Sequence, residues 1–178
     1  AAIGVHTARQ DSSPMILFIG QVGTALKGRE AFQEIDYETA FRDVAKWSVE
    51  INEADRIPEI ISRAWLTAVS GRPGPVVVAL PEDILTDETD ALPLISPVHI
   101  EKGVPNSETI EKVQSALSDC KRPLIIIGSS TWCKSGQNAL KSFAESSKIP
   151  VVAAFRYQDQ FDNFSNAFCG EAGVGMPA

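Results

Sequence analysis

The stretch Ser70-Gly71-Arg72-Pro73-Gly74-Pro75-Val76-Val77-Val78-Ala79-Leu80-Pro81-Glu82-Asp83 sets what this chain can fold into. Val76 to Leu80 carry no polar residue and are bounded by Pro75 and Pro81. The run is too short for a helix of its own and is rich in β-branched residues, which predicts a strand buried on both faces. Ahead of it, Ile57, Ile60, Ile61, Ala64, Trp65, Ala68 and Val69 recur at the spacing of one helical face over 55–70. Pro58 stands in the first turn of that helix, where a missing N–H costs little, and Gly71 ends it. A helix, a tight turn and a doubly buried strand make half of an α/β unit. Arg72 lies inside the turn, where such a fold exposes its loops and leaves a charge available to a ligand.

The same grammar recurs along the chain. Ala1 to Arg9 read as a helix, 11–14 as a turn cluster, and Met15 to Ile19 as a buried strand ending at Gly20-Gln21. Residues 23–34 have no clean period and hold Gly23 and Gly28, which predicts a loop of functional length. Asp36 opens a short helical stretch to about Ala45, and 46–49 read as a short strand. Prolines at 93, 97 and 105 and charges at 87–90 mark residues 87–106 as an interdomain linker. Ser107 is then expected to cap a helix with Ile110, Val113, Ala116 and Leu117 on one face. A second fully apolar strand is expected over 123–128, a loop over 129–136, a helix to about Ser147 and a strand over 150–155.

The expected class is therefore α/β: parallel sheets flanked by helices, in two partial domains at 1–86 and 107–178. The chain opens inside a helix and closes on Gly-Val-Gly-Met-Pro-Ala after a strand and loop, so both ends read as cut. Composition excludes some functions. Net charge is -7 and no basic run of five or more occurs, which argues against a nucleic-acid partner. No apolar run approaches the ~18 residues of a membrane span, and no secretory signal is evident. Cys120, Cys133 and Cys169 are odd in number and form no C-x-x-C pair, which disfavours a metal site or disulfide framework and fits a reducing compartment. A cytoplasmic location follows as an expectation.

The candidate site residues lie at strand ends and turns. Gln21 sits at the carboxyl end of a strand, where open α/β sheets place ligands; an exposed loop glutamine is the alternative. Arg72 can hold a phosphate or cofactor edge by bidentate hydrogen bonds, or serve as a helix-terminal cation. Gly128-Ser129-Ser130 follows a strand and precedes a helix, a turn able to present backbone N–H groups to a phosphate, or an ordinary βα turn. Lys46-Trp47 reads as an active-site edge or a half-buried strand end, and Gly170, Gly173 and Gly175 as a close-approach loop or a plain one. His6 and His99 lack paired carboxylates in register, so neither a nucleophile triad nor a metal site is expected.

Gly20-Gln21-Val22, Gly28-Arg29-Glu30-Ala31-Phe32-Gln33-Glu34, Lys46, Ser70 to Pro75, Leu80-Pro81-Glu82-Asp83 and Arg122 to Gly128 stand in an order and spacing that resemble thiamine-diphosphate-dependent enzymes of the acetolactate synthase type. The resemblance covers essentially the whole chain. It implies that 1–86 form the second half of the domain that binds the cofactor's aminopyrimidine. Residues 107–178 would form the opening part of a central domain of nucleotide- or flavin-binding type. It implies a parent enzyme that is a 2-oxo acid carboligase or decarboxylase of branched-chain amino acid biosynthesis, using thiamine diphosphate and Mg²⁺, with FAD possible, and working as a homodimer or homotetramer. The activating glutamate and the metal-binding stretch of such enzymes have no match here, so no complete catalytic set and no metal ligand is assigned. Gln21, Phe32 and Gln33 match positions lining the active site, Arg72 a flavin-contacting arginine, and Gly128 and Ser129 a flavin-type loop. Lys46-Trp47-Ser48 is similar to benzoylformate decarboxylase, which keeps that activity, or a non-catalytic nucleotide- or flavin-binding piece, as alternatives.

Overall fold

The computed structural model describes residues 1–93, 103–129 and 132–173. The chain divides into two compact units, Ala1–Glu101 and Lys102–Ala178. In chain order the first unit holds α1 (Ala2–Asp11), β1 (Met15–Gln21), α2 (Tyr37–Ala40), β2 (Trp47–Glu50), α3 (Ile57–Val69) and β3 (Pro75–Pro81).

β3 is the middle of a parallel sheet ordered β1-β3-β2, with Met15 opposite Pro75 and Gln21 opposite Pro81 on one side, and Trp47 opposite Val76 on the other. Val76 to Ala79 have no exposed surface, as expected of a strand covered on both faces. Alternation splits them. Val76 and Val78 pack with Ile51, Ile60, Ala64, Ala68 and Ile84 beneath α3. Val77 packs on the opposite face with Val5 of α1 and with Phe41 and Ala45. Pro58 lies in the first turn of α3, and Gly71 takes the left-handed φ of +56° that ends it.

Two apolar expectations need correction. β1 is not buried throughout: Phe18 is 51% exposed, although Val78, its register partner, is 0% exposed. A strand with a sheet neighbour on one side only has less to pack against. The apolar face of α3 is also narrower than its spacing predicts, because Trp65 is exposed. Arg63 instead covers the Trp47 ring, 4.4 Å from its centroid.

The second unit holds α4 (Ser107–Asp119), β4 (Ile125–Ile127), α5 (Lys134–Ser147), β5 (Val151–Ala154) and β6 (Phe168–Ala172). Its parallel sheet is ordered β4-β5-β6 over a core of Ile127, Ala144, Val151, Ala153, Phe161 and Ala167. The cap of α4 is Asn106 rather than Ser107: its side-chain oxygen accepts from the Thr109 N–H at 2.8 Å, which its extended backbone allows. The expected apolar face of α4 exists in sequence, but Ile110 and Val113 are exposed and no residue of the helix is buried. β4 is apolar without being fully buried, with Ile126 pointing outward. β6 has no strand-like pattern in its sequence. It pairs with β5 through a register shift and carries Gly170 at φ +101°. Gly173 is a close-approach position, since a Cβ there would lie 2.7 Å from the Cβ of Phe155. His99, Ser130, Gly175 and residues 94–102 of the expected linker lie outside the described residues.

Candidate functional site

The carboxyl ends of β1 and β2 meet the loop 23–36 around a cavity of about 370 Å³, lined by Gln21, Lys27, Ile35, Tyr37 and Asn52 and by the carboxylates of Glu34, Asp36, Glu38 and Glu50. Gln21 is 5% exposed, so it is a buried polar group and every bond it makes matters. Its Nε2 donates to the Ile35 carbonyl at 2.7 Å and to Glu50 Oε2 at 3.1 Å, and its Oε1 accepts from the Val22 N–H at 3.0 Å. Lys27 pairs with the other oxygen of Glu50.

The loop itself is shaped by carboxylates. Glu34 accepts from the backbone N–H groups of Gly28 and Ala31. The Gly28 bond is foremost among the contacts that hold the Glu34 carboxyl below its usual pKa. Asp83, just beyond β3, accepts from the Thr24 N–H at 3.0 and 3.1 Å and from the Thr24 hydroxyl. The hydroxyl bond first, and the backbone bond after it, lower the Asp83 pKa from 3.8. Folded Asp83 thus gives up its proton more readily than unfolded Asp83, so it adds stability above pH 3.8 that is lost as pH falls through the depressed value. Thermal unfolding of the intact protein should show wild type above Asp83→Asn at neutral pH, with the gap closing below about pH 4. A gap unchanged down to pH 3 would contradict this role.

The structure places the expected site residues unevenly. Gln21 is at the cavity, and it is buried rather than an exposed loop residue. Phe32 is 88% exposed, and Gln33 is exposed at φ +68° in the same loop. Arg72 is elsewhere. Its Nε donates to Ser12 Oγ at 2.7 Å, and its Nη2 to the carbonyls of Gln10 at 3.2 Å and Arg9 at 3.4 Å, so it closes the carboxyl end of α1. It precedes β3 while Gln21 ends β1, so the two are separated along the parallel strands by about 20 Å at ~3.3 Å per residue. Lys46 stands at that same far end, donating to the Thr67 and Ser70 carbonyls of the α3 terminus; burial lowers its pKa, with Arg9 adding to the effect. In the other unit, the Gly128 carbonyl accepts from Trp132 Nε1 at 2.9 Å, and Ser129 adopts φ +75°.

Sequence reasoning missed Glu50, Lys27 and Thr24, and named Asp83 only within the Leu80-Pro81-Glu82-Asp83 block. The one available signal was a glutamate at the end of the short strand Trp47-Ser48-Val49-Glu50. Among the described residues no group of three or more His, Cys, Asp or Glu is arranged to hold a metal ion, and no helix is long and apolar enough to cross a membrane.

Known proteins are similar to this sequence. The chain is 35% identical over 160 residues to the acetolactate synthase isozyme 3 large subunit of Escherichia coli K12, covering 86% of this chain and 28% of that protein. It is 34% identical over 156 residues to the acetolactate synthase large subunit of Lactococcus lactis, covering 86% of this chain and 27% of that protein. Glyoxylate carboligase of Escherichia coli O157:H7 is 32% identical over 149 residues, covering 83% of this chain and 25% of that protein. Residues 110–178 match the family model of the thiamine pyrophosphate enzyme central domain. The chain belongs to the thiamine-diphosphate-dependent enzymes of the acetolactate synthase-like family. As a member of that family it spans 28% and 27% of the length of the two synthases.

In this acetolactate synthase-like chain, Arg72 Nε and Nη2 are engaged by α1 and the Gly128 carbonyl by Trp132. The cavity at Gln21 lies at the carboxyl ends of β1 and β2.

Proposed function

We propose that the intact protein is a thiamine-diphosphate-dependent 2-oxo acid carboligase that joins two pyruvate units to acetolactate. The observation that carries this reading is the run of relatives named acetolactate synthase, 31% to 37% identical over 83% to 96% of the chain. Residues 1–86 are proposed as the second half of the aminopyrimidine-binding domain, 87–106 as a linker and 107–178 as the start of the central domain, in keeping with the family match at 110–178. Mg²⁺ is proposed as the metal that accompanies the cofactor, FAD as a bound group, and a homodimer or homotetramer as the assembly. The names of the relatives as large subunits support a further subunit as partner.

Thiamine diphosphate, when bound, supplies the electron sink that stabilises a carbanion. This stretch of the protein contributes the polar end of a sheet: Gln21 fixed at the strand end, Phe32 and Gln33 on the adjoining loop, and a rim of carboxylates. The intact protein, given thiamine diphosphate, Mg²⁺ and pyruvate, should release carbon dioxide and form acetolactate, with turnover lost when the cofactor is withheld. Glyoxylate belongs in the same assay because a glyoxylate carboligase is among the relatives. Decarboxylation of benzoylformate with no carboligation would replace the synthase reading. A colourless protein with no flavin released on denaturation would remove FAD.

A further inference from the structure

We propose that Glu34 is a positioning residue: its two carboxylate oxygens grip the backbone N–H groups of Gly28 and Ala31 and so lock the turn that presents Phe32 and Gln33. The role of those two side chains at the active site rests on the carboligase reading, whereas the lock rests on geometry.

Phe32 and Gln33 are the central residues of a tight turn, closed by the Glu34 N–H donating to the Ala31 carbonyl at 3.0 Å. The left-handed φ of +68° falls on Gln33, the third residue of the turn, a place that favours glycine. Glu30, at φ +54°, is a second non-glycine residue in that region three positions earlier. Each such residue costs free energy and persists only where its surroundings impose it. Packing does not impose it here: Phe32 is 88% exposed, and Arg29, Glu30 and Gln33 are exposed as well.

The Glu34 carboxylate imposes it instead. Oε1 accepts from the Gly28 N–H and Oε2 from the Ala31 N–H at 3.1 Å, so one side chain spans the segment from Gly28 to the turn. Ala31 and Glu34 are thereby tied twice, N–H to carboxylate and carbonyl to N–H. The result is a set of backbone donors closed on an anion that the loop itself supplies. The Gly28 bond first, and then the N–H groups of Ala31, Arg29 and Glu30, hold the carboxyl below its ordinary pKa, so at neutral pH the lock is charge-assisted. The feet of the loop are fixed separately, Thr24 by Asp83, Lys27 by Glu50 and the Ile35 carbonyl by Gln21. What Glu34 sets is the tip.

The lock needs a carboxylate and not merely a side chain of that size. A glutamine at position 34 has one oxygen, which can keep one of the two bonds, and an amide nitrogen that would face a second donor. With one bond gone, the left-handed residues Glu30 and Gln33 lose what opposes their relaxation. The turn then samples other conformations, and Phe32 and Gln33 are displaced together.

The test is hydrogen-exchange mass spectrometry of the intact protein, with pyruvate turnover measured on the same variants. Glu34→Gln should speed amide exchange across 28–34 about tenfold or more, the scale of one hydrogen bond to a charged group, and leave exchange across β3 unchanged. Its kcat/KM for pyruvate should fall about tenfold. The same substitution in a Phe32→Ala, Gln33→Ala background should cost almost nothing further, because Glu34 acts through those two side chains. Unchanged exchange at 28–34 in Glu34→Gln overturns the proposal. So does acceleration shared equally by β3, which would make Glu34 a support of the whole unit, and so does an undiminished loss of turnover in the doubly substituted background. The exchange measurement needs no turnover. A protein inactive on pyruvate whose loop still loosens in Glu34→Gln removes the carboligase reading and leaves the lock standing, whereas turnover with no change in exchange does the reverse.

Discussion

Replacing Val78 with aspartate abolishes folding of the first unit. Val78 is fully buried in the central strand, between Phe18 of β1 and Val49 of β2 in register. It packs in the cluster formed by Ile60, Ala64 and Ala68 of α3. The substitution leaves the backbone ladder intact and changes only what lies between sheet and helix. Truncation to alanine removes roughly 2 kcal/mol of burial. A carboxylate in the same place must be desolvated with no donor facing it, at a cost of several kcal/mol more, against a total stability of about 5–15 kcal/mol for an ordinary domain. Val78→Asp of the intact protein should therefore be insoluble or lack a cooperative urea transition, and Val78→Ala should unfold at lower urea than wild type. Phe18→Asp, the same change one strand over, should cost far less, because Phe18 is 51% exposed. A Val78→Asp protein that melts within a few degrees of wild type would contradict the placement of β3 at the centre of the sheet.

That contrast also marks what the sequence can and cannot say. Val76 to Leu80, closed by Pro75 and Pro81, declare a strand, and the spacing of Ile60, Ala64 and Ala68 declares the helix that covers it. Both signals are local. Which apolar residues find a cover is not local. Met15 to Ile19 and Ile125 to Ile127 are as apolar in sequence as β3, yet Phe18 and Ile126 are exposed on edge strands, and Ile110 and Val113 are exposed on α4, of which no residue is buried. β6 escaped notice because Phe-Cys-Gly-Glu-Ala follows no period of two, and its pairing with β5 is irregular.

The site was legible in the same uneven way. Gln21 could be placed at a strand end from the apolar run before it. Its partner Glu50 lies 29 residues away and meets it only because β1 and β2 run parallel on either side of β3. Arg72 was legible as an exposed cation beside a turn, but its alternative role as a helix-terminal cation is the one its bonds describe. The helix it closes is α1, 60 residues upstream at Ser12, rather than the helix it follows. Charge and exposure can be read from one residue, whereas the end of the sheet it serves requires the register.

Gly74→Ala is expected to be destabilising in the wild-type background and stabilising once Lys46 is removed. Gly74 has no left-handed φ, so alanine meets no backbone penalty there. The obstacle is a neighbour: an added Cβ would sit 3.0 Å from Lys46 Cδ and 3.1 Å from Cγ. A lysine stem can normally swing aside. This one is tethered at its far end, where Nζ donates to the Ser70 carbonyl at 2.8 Å and to the Thr67 carbonyl, and at its near end, where its backbone N–H donates to Pro75 at 2.7 Å. These carbonyls sit at the carboxyl end of α3, where orphan acceptors and the negative end of the helix dipole favour a cation. Relieving the clash means giving up one of those bonds, at about 1–3 kcal/mol. Lys46→Ala loses a similar amount by itself and removes the obstructing carbons. In that background Gly74→Ala keeps only its effect on the unfolded chain, a gain of about 0.4–1 kcal/mol from restricted backbone freedom. The four proteins of the cycle, compared by urea unfolding, should therefore show a coupling of more than ~1 kcal/mol between positions 46 and 74. Equal effects of Gly74→Ala with and without Lys46 would mean that the lysine stem is free to move. The glycine in the Ser-Gly-Arg-Pro-Gly-Pro turn would then serve the chain's path alone and not the lysine that crosses it.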